Sequence, residues 1–228
     1  MVFVGHRPEN VAGADLVVRS SAIKEDNPEV QAAHSAGMPV LRRADFLSYL
    51  IADQRAITVA GTHGKTTTTA MIAWILHYLG LDPSYVIGGR SINLGGNAHS
   101  GAGDFFVIEA DEYDGMFLGL NPFLLIVTNM EHDHPDFYPT MEEYRAAFRK
   151  LVSLISNGGY LLANDDNPNS RNLLNTVPKE IQAFSYGVNP KADYQADAIR
   201  QAEKIGIQFS ARLASHIRIE NIQLKIPG

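Results

Sequence analysis

The chain has 228 residues, of which 45% are hydrophobic and 19% charged, with a formal net charge of −6 and no cysteine. This composition is typical of a globular protein. The negative charge gives no electrostatic support for a nucleic-acid partner. The lack of cysteine excludes disulfides and thiolate catalysis. The first residues do not form a signal peptide, and no apolar run reaches the roughly 18 residues of a membrane span. We therefore expect a cytoplasmic protein that binds neither nucleic acid nor membrane.

The first quarter of the chain has the pattern of the end of an α/β unit. Its predicted elements are a strand over Ala14–Val18, a helix capped by Asn27 with Pro28 in its first turn, a strand over Met38–Leu41 and a helix over Ala44–Ile51. Two strands with one helix between them cannot bury both faces of a sheet, and no glycine-rich turn precedes them. We therefore expect residues 1–52 to be the end of a domain and residues 53–228 to form the next one.

Two serines follow the first predicted strand. Ser20 and Ser21 lie where open α/β sheets bind ligands, beyond the carboxyl end of a strand. They are candidate substrate contacts, and the alternative is that they only cap a turn.

The stretch Ile57–Thr69 carries the strongest functional signal. A β-branched run ends at Gly61, Gly64-Lys65-Thr66 follows, and apolar residues then recur at helical spacing. A strand, a glycine turn and a helix N-terminus together form an anion site, in which Lys65 suits the β- and γ-phosphates and the Thr66 hydroxyl suits Mg²⁺. Position 59 is valine where the usual phosphate loop has glycine, so we expect a shortened variant of that loop.

A glycine-rich segment follows the next predicted strand, Tyr85–Ile87. The residues from Gly88 to Gly103 have the composition of a long irregular loop, and such loops are usually functional or disordered. Asn97 and His99 are candidate substrate contacts here, and a solvated loop is the alternative.

The apolar run Phe105–Ile108 ends in the acidic segment Glu109–Asp114. Four carboxylates at the end of a strand repel one another unless a cation is present. Next to a phosphate loop that cation is expected to be Mg²⁺, with Glu109 in the best position to bind it; the alternative is a solvated acidic loop.

The strand predicted over Leu124–Thr128 ends before His132-Asp133-His134-Pro135-Asp136. A zinc site is not favoured, because position 137 is phenylalanine rather than a further histidine and more distant ligands are hard to assign. His134 is instead a candidate Mg²⁺ ligand or substrate-orienting residue, whereas His132 has the pattern of a surface residue.

The remaining sequence predicts a helix and then strands. Thr140 and Glu143 form a capping box before an amphipathic helix, and Asp165 or Asp166 is expected to cap a short helix near Pro168. The predicted strands that follow are Gln182–Tyr186, Tyr194–Ile199, Ile205–Leu213 and His216–Ile226, and we expect them to be antiparallel. The fold class is therefore α/β, a mostly parallel sheet flanked by helices, with a phosphate loop and an antiparallel β extension.

The segments Gly61–Thr68, Glu109–Asp114 and Thr128–His134 together resemble the Mur ligases, cytoplasmic enzymes that build the peptide of peptidoglycan. Ser20–Ile23 with Asn27-Pro28 also fits the family, so the resemblance covers nearly the whole chain. It implies three domains: a Rossmann-like domain for the UDP-linked substrate, a central ATPase domain and an amino-acid domain. We expect this chain to hold the end of the first and most of the second, which leaves the activity of this portion by itself open.

The resemblance also implies a set of site residues. The residues that would bind the ATP phosphates are Gly61, Thr62, His63, Gly64, Lys65, Thr66 and Thr67, with Lys65 at the γ-phosphoryl group. Thr66 and Glu109 would hold one Mg²⁺, and His134 would hold a second Mg²⁺ or contact the substrate. Lys65, Glu109 and His134 would thus be the catalytic residues, and ATP and Mg²⁺ the cofactors.

The branch of the family follows from one position. Ligases that add later amino acids carry a modified lysine where this sequence has Phe148, counted from His134. The resemblance therefore implies a ligase that joins L-alanine to UDP-N-acetylmuramate through an acyl phosphate, or its relative that attaches recycled tripeptide. The other hypotheses are a small-molecule kinase or NTPase, a folylpolyglutamate synthase, and a truncated nucleotide-binding module without ligase activity.

Overall fold

The computed structural model describes residues 1–51, 53–202, 205–214 and 217–225, and for Asp114 the backbone alone. The helices are α1 Pro28–Ser35, α2 Arg43–Ile51, α3 Lys65–Tyr78, α4 Met141–Ser153 and α5 Pro168–Leu173, with 3-10 turns at Pro8–Val11, Tyr113–Gly119 and Leu174–Thr176. The strands are β1 Val17–Arg19, β2 Val40–Arg42, β3 Arg55–Ala60, β4 Ser84–Ser91, β5 Gly96–His99, β6 Phe105–Glu109, β7 Leu124–Val127, β8 Tyr160–Asn164, β9 Gln182–Gly187, β10 Tyr194–Gln201, β11 Ile207–Arg212 and β12 Arg218–Leu224.

The N-terminal segment forms a small sheet of its own. Strands β1 and β2 pair in parallel, with Val17 opposite Val40. Helix α1 connects them, and the Asn27 side chain accepts a hydrogen bond from the N–H of Glu29 at 2.9 Å. This contact confirms the predicted helix cap, and Pro28 occupies the first turn, where its missing N–H costs nothing.

The other ten strands form one sheet in the order β12-β11-β10-β9-β8-β7-β3-β6-β4-β5. All neighbours from β4 to β10 pair in parallel, whereas β5, β11 and β12 pair antiparallel to their neighbours. The predicted α/β class with a mostly parallel sheet is confirmed. Among the described residues no helix is both long and apolar enough to cross a bilayer.

Alternating side chains of the central strands divide the core between the two faces of the sheet. In β6, Phe106 and Ile108 belong to the cluster that contains the buried residues of α4, whereas Val107 belongs to the cluster under α3. Because successive strand residues point to opposite faces, a continuous apolar run is what a strand covered on both sides requires.

Two expectations about strands are wrong. Strand β9 pairs in parallel with β8 and with β10, so it continues the parallel sheet. Of the pairs among these four predicted strands, β10–β11 and β11–β12 are antiparallel. The segment after Gly88 is not an irregular loop, because β4 extends to Ser91 and forms a hairpin with β5. Of the last predicted strand, His216 and Ile226 lie outside the described residues.

The helix caps after β7 were predicted with mixed success. Thr140 and Glu143 form the expected capping box at the start of α4. Helix α5 is capped by Asn167, whose side chain accepts from the N–H of Ser170 at 3.0 Å, so the assignment of the cap to Asp165 or Asp166 was wrong. Asp165 instead pairs with Arg171, and Asp166 accepts from the N–H groups after β9.

The parallel pairing determines where the functional segments meet. Strands β6, β3 and β7 are adjacent, and their carboxyl ends lie at one edge of the sheet. The segments that follow them, after Glu109, Ala60 and Val127, therefore come together at that edge.

Candidate functional site

The phosphate loop lies between β3 and α3 at this edge. Gly64 is the residue before α3 and has a left-handed conformation, with φ of 81°. Gly61 has φ of 131°, and a Cβ there would clash with Thr128 Oγ1 and lie 2.7 Å from the carbonyl oxygen of Asn129. Only glycine fits at Gly61, and the first-turn N–H groups of α3 point out of the loop as an anion site.

Residues after β7 hold the phosphate loop from its other side. The Thr128 hydroxyl donates to the carbonyl oxygen of His63 at 2.7 Å, and the Asn129 side chain accepts from the N–H of His63 at 2.9 Å. The N–H of Thr62 donates to the carbonyl oxygen of Asn129 at 3.1 Å. Thr128 and Asn129 were not among the predicted site residues, although their position at the carboxyl end of a buried strand is a signal for a role in the site.

Thr66 and Glu109 form a compact pair of oxygen ligands. The Thr66 hydroxyl lies 2.9 Å from both carboxylate oxygens of Glu109, and the N–H of Gly88 donates to Oε2 at 2.9 Å. A hydroxyl and a carboxylate at the helix N-terminus match the hard oxygen ligands that Mg²⁺ takes beside a phosphate group. These two side chains therefore fit the cation that the sequence predicts for them.

Lys65 forms an ion pair with Glu112. Its Nζ lies 3.0 and 3.2 Å from the two carboxylate oxygens and donates to the carbonyl oxygen of Gly61 at 2.6 Å. The Lys65 side chain is 15% exposed, whereas the Glu112 side chain is completely buried. Glu112 was not among the predicted site residues, because nothing in the sequence distinguishes it from its acidic neighbours.

Two tyrosines surround Glu112. The hydroxyl of Tyr144 in α4 donates to Glu112 Oε1 at 3.2 Å, and that of Tyr138 donates to the Glu112 carbonyl oxygen at 2.6 Å. Burial, with the neighbouring Glu112 carboxylate, raises the pKa of Tyr144 far above its ordinary value, and a contact with Thr62 opposes this only in part. Tyr144 therefore keeps its proton and remains a donor.

His134 joins the site through Glu112. Potential ligand atoms of Glu112, Asp133 and His134 all lie within 4.8 Å of one another, and His134 has a left-handed backbone with φ of 52°. Its ring packs edge-on against Tyr113 with centroids 5.0 Å apart. These ligand atoms are close enough to hold a cation together, and the role of His134 as a Mg²⁺ ligand or substrate contact stays a prediction. His132 is exposed, and its Nε2 lies 2.7 Å from the carbonyl oxygen of Tyr138.

The predicted substrate serines lie on the N-terminal side of the site. Ser21 lines a cavity of about 210 Å³ with Arg42, Arg43 and the turn at 115–119, whereas the carbonyl of Ser20 closes a local turn with Ile23. A second cavity of about 210 Å³ is lined by Arg43, Glu109 and Met116. Arg43 and Met116 line both cavities, so the cavity at Ser21 and the cavity at Glu109 are neighbours.

Asn97 and His99 lie in β5, at the edge of the sheet. His99 is opposite Tyr85 near the start of β4, and its Nε2 lies 3.1 Å from Asp82 Oδ1. The phosphate loop is near the other end of β4, so the structure does not bring His99 together with Lys65. The exposed Asn97 lies two residues earlier, and the substrate role of both residues remains a prediction.

A further cavity opens beside the phosphate loop. It has a volume of about 550 Å³, is lined by Thr66, Thr67, Met71 and Trp74 of α3, and reaches the β4–β5 hairpin and the end of β12. Its size is in the range of small-molecule sites, and aromatic and aliphatic side chains line much of it.

Comparison with known families matches both parts of the chain. Residues 59–228 match the Mur ligase middle domain, and residues 1–55 match the family described as Mur ligase family, catalytic domain. A UDP-N-acetylmuramate–L-alanine ligase of Geobacter sp. (strain M21) is 45% identical over an alignment of 230 positions, which covers 100% of this chain and 48% of the relative. The chain thus spans about half the length of the curated relatives it matches.

Two solved structures have the same fold over almost the whole chain. A UDP-N-acetylmuramate:L-alanyl-gamma-D-glutamyl-meso-diaminopimelate ligase from Neisseria meningitides is 26% identical with a TM-score of 0.84, and the match covers 99% of this chain and 73% of that one. A UDP-N-acetylmuramate-alanine ligase from Thermotoga maritima is 28% identical with a TM-score of 0.82, covering 99% and 50%.

Proposed function

The chain belongs to the Mur ligase family, and from this premise we propose that it binds ATP and Mg²⁺ and forms the nucleotide-binding part of an ATP-dependent amide ligase. The substrates would be UDP-N-acetylmuramate and L-alanine, as in the names of its relatives. The observation that carries the proposal is the Thr66–Glu109 pair, 2.9 Å apart, at the N-terminus of the phosphate-loop helix. We place the domain boundary near residues 52–55 and the protein in the cytoplasm, where nucleotide-linked precursors are made.

The phosphate loop would bind the ATP phosphates with its backbone N–H groups, and His63, Thr67 and the loop glycines would shape it. Lys65 would contact the γ-phosphoryl group and offset the negative charge that develops during its transfer. Thr66 and Glu109 would hold Mg²⁺, which supplies further charge neutralisation at the β- and γ-phosphates when it is bound. His134 would act from the neighbouring segment as a second ligand or a substrate contact.

The reaction then needs no covalent enzyme intermediate. A carboxylate oxygen of the muramate would attack the γ-phosphorus, the bond to ADP would break, and an acyl phosphate would form. The amine of L-alanine would attack the acyl carbon, lose a proton and expel inorganic phosphate. Catalysis would come from positioning and electrostatics.

Two neighbouring cavities support an approach for the acid substrate. One is lined by Ser21 and the other by Glu109, and Arg43 lines both. An arginine is suited to an anionic nucleotide sugar or its carboxylate, because its planar fork donates two parallel hydrogen bonds. The 550 Å³ cavity beside Thr67 has room for the nucleoside of ATP.

Phe148 supports the choice of branch. Its side chain is fully buried and packs against Phe117 and Tyr144, with ring centroids 5.3 and 5.0 Å away. The modified lysine of ligases that add later amino acids has no counterpart there. The alternative function is attachment of recycled tripeptide, supported by the similarity to the Neisseria meningitides ligase. A nucleotide-binding module without ligase activity is the other alternative.

Calorimetric titration of the chain with Mg²⁺ and a non-hydrolysable ATP analogue tests the proposal. The matched variant is Lys65→Ala with Glu112→Gln, which removes the loop cation without leaving a buried carboxylate unpaired. We expect binding to the unmodified chain and none to the double variant. If the folded, unmodified chain does not bind the analogue, the proposed nucleotide-binding function is wrong.

A further inference from the structure

The proposed function gives no role to the ion pair between the buried Glu112 and Lys65. The Lys65 ammonium has three N–H bonds, and acceptors on Gly61 and on both carboxylate oxygens of Glu112 lie within 3.2 Å of its Nζ. In the structure, therefore, the N–H bonds that a phosphate would need are directed at protein oxygens. A phosphate oxygen can bond to Lys65 only by replacing one of them.

Glu112 is the less movable partner of the pair. Its carboxylate accepts from the Tyr144 hydroxyl, and its carbonyl oxygen accepts from the Tyr138 hydroxyl at 2.6 Å and from the N–H of Gly115 at 3.1 Å. Tyr144 is fully buried in α4. Lys65, in contrast, has a flexible four-carbon side chain that is 15% exposed.

We propose that Glu112 is the positioning residue of Lys65, and that polyphosphate binds the loop by taking the Lys65 ammonium from the Glu112 carboxylate. The proposal rests on the proposed binding of ATP phosphates at this loop. Before nucleotide arrives, Glu112 neutralises Lys65 and keeps it inside the loop. When nucleotide binds, the same carboxylate competes with the phosphate for the Lys65 ammonium and repels the phosphate. Glu112 therefore positions the lysine at the cost of a lower affinity of the loop for nucleotide.

Two substitutions separate this role from simple structural support, because they move nucleotide affinity in opposite directions. Glu112→Gln keeps the shape and removes the competing charge, so the Kd for the non-hydrolysable ATP analogue with Mg²⁺ should fall by roughly tenfold, the scale of one partly buried charge contact. Tyr144→Phe removes one hydrogen-bond donor from the Glu112 carboxylate, which is then more strongly attached to Lys65. The Kd of this variant for the nucleotide should rise by roughly two- to threefold, as expected for one lost hydrogen bond.

The control is Glu180→Gln, an exposed turn residue whose replacement changes the net charge by the same amount. It should leave the Kd unchanged. If Glu112 only supported the fold, both Glu112→Gln and Tyr144→Phe would weaken nucleotide binding along with thermal stability. An unchanged or higher Kd for folded Glu112→Gln overturns the proposal, and so does a lower Kd for Tyr144→Phe.

A second measurement does not depend on nucleotide. In ¹⁵N-lysine NMR, an ammonium held by a buried carboxylate exchanges its protons slowly, and its signal is identified by its loss in the Lys65→Ala/Glu112→Gln variant. We expect the signal in the unmodified chain and in Tyr144→Phe, and its loss in Glu112→Gln. Its absence from the unmodified chain overturns the positioning role. A persistent signal in a chain that does not bind the ATP analogue with Mg²⁺ instead refutes the proposed function, and with it the exchange step.

Discussion

The N–H of Gly88 in β4 donates to Oε2 of Glu109 in β6 at 2.9 Å, and a Cβ at position 88 would lie 2.6 Å from the same oxygen. The glycine therefore both orients the carboxylate and leaves the space that it occupies. Gly88→Ala should displace Glu109 from Thr66 and weaken Mg²⁺ binding by tenfold or more, since changes next to a ligand typically cost about 10- to 100-fold. Calorimetric titration of the nucleotide at a series of Mg²⁺ concentrations measures this.

Gly96→Ala is the matched control for Gly88→Ala. Gly96 lies in β5, the hairpin partner of β4. A Cβ at this position would meet its nearest neighbour at 3.9 Å, which is an ordinary van der Waals contact. This variant should keep the Mg²⁺ dependence of the unmodified chain. If Gly88→Ala and Gly96→Ala weakened Mg²⁺ binding equally, the effect would come from a general disturbance of the hairpin and not from the contact between Gly88 and Glu109.

Replacement of Lys65 should lower the free energy of unfolding more than replacement of its partner Glu112. Lys65→Ala leaves a carboxylate that is completely buried, whereas Glu112→Gln leaves a cation that is partly exposed. Loss of one partner of a buried pair costs about 3–5 kcal/mol, and we expect Lys65→Ala to approach that range and Glu112→Gln to cost clearly less. Urea unfolding gives both values. The double variant should recover most of the stability lost in Lys65→Ala, and a double variant no more stable than the single one would contradict this account.

The two loop glycines should differ in their tolerance of alanine. Both have positive φ, which costs an alanine about 1–2 kcal/mol, but a Cβ at Gly64 meets nothing within 4 Å. At Gly61 the Cβ would also clash with Thr128 Oγ1, whose hydroxyl donates to the carbonyl oxygen of His63. Gly61→Ala should therefore destabilise the chain more than Gly64→Ala does in urea unfolding. The reverse order would mean that the contact with Thr128 does not restrict the loop.

We expect the charge of Asp82 to contribute to the free energy of unfolding in a pH-dependent way. The N–H of Ala102 and the side chain of His99 hold the pKa of Asp82 below its ordinary value of 3.8. Because the folded-state pKa is the lower one, the stabilisation is complete above the unfolded-state pKa and is lost as the pH falls through the folded-state value. Asp82→Asn should be less stable than the unmodified chain at neutral pH, and the difference should shrink as the pH falls below the ordinary pKa of an aspartate.

Asparagine is a suitable replacement because Asp82 has a left-handed backbone, with φ of 38°, which asparagine tolerates well. Urea midpoints for both chains across the acid range measure the effect. A stability difference that is independent of pH would mean that the Asp82 charge does not contribute.

Features that depend on local patterns were predictable from the sequence. The continuous apolar run Phe105–Ile108 indicated a strand covered on both faces, Thr140 and Glu143 indicated a capping box, and Gly61–Thr66 indicated a phosphate loop. Because the carboxyl ends of parallel strands share one edge, the order of elements also placed Glu109 beside that loop. The pairing of Glu109 with Thr66 agrees with this placement.

The direction of strand pairing was not predictable in the same way. The alternating pattern of Gln182–Gly187 is the same for either direction, and its parallel pairing depends on the free edge that β8 presents to it. The glycine-rich segment around Gly96 was mistaken for a loop, because its pairing with β4 involves mainly backbone groups that leave little trace in the side-chain pattern.

By itself, the sequence determined the class of fold, the positions of the phosphate loop and of the acidic segment, and the family. Only the tertiary structure decided which carboxylate does what: Glu109 faces Thr66, and Glu112, three residues later, is buried against Lys65 and Tyr144. The physical reason is that phosphate loops and caps depend on neighbours within a few residues. A buried ion pair depends on groups such as Lys65 and Glu112, which lie 47 residues apart and meet only when the sheet has formed.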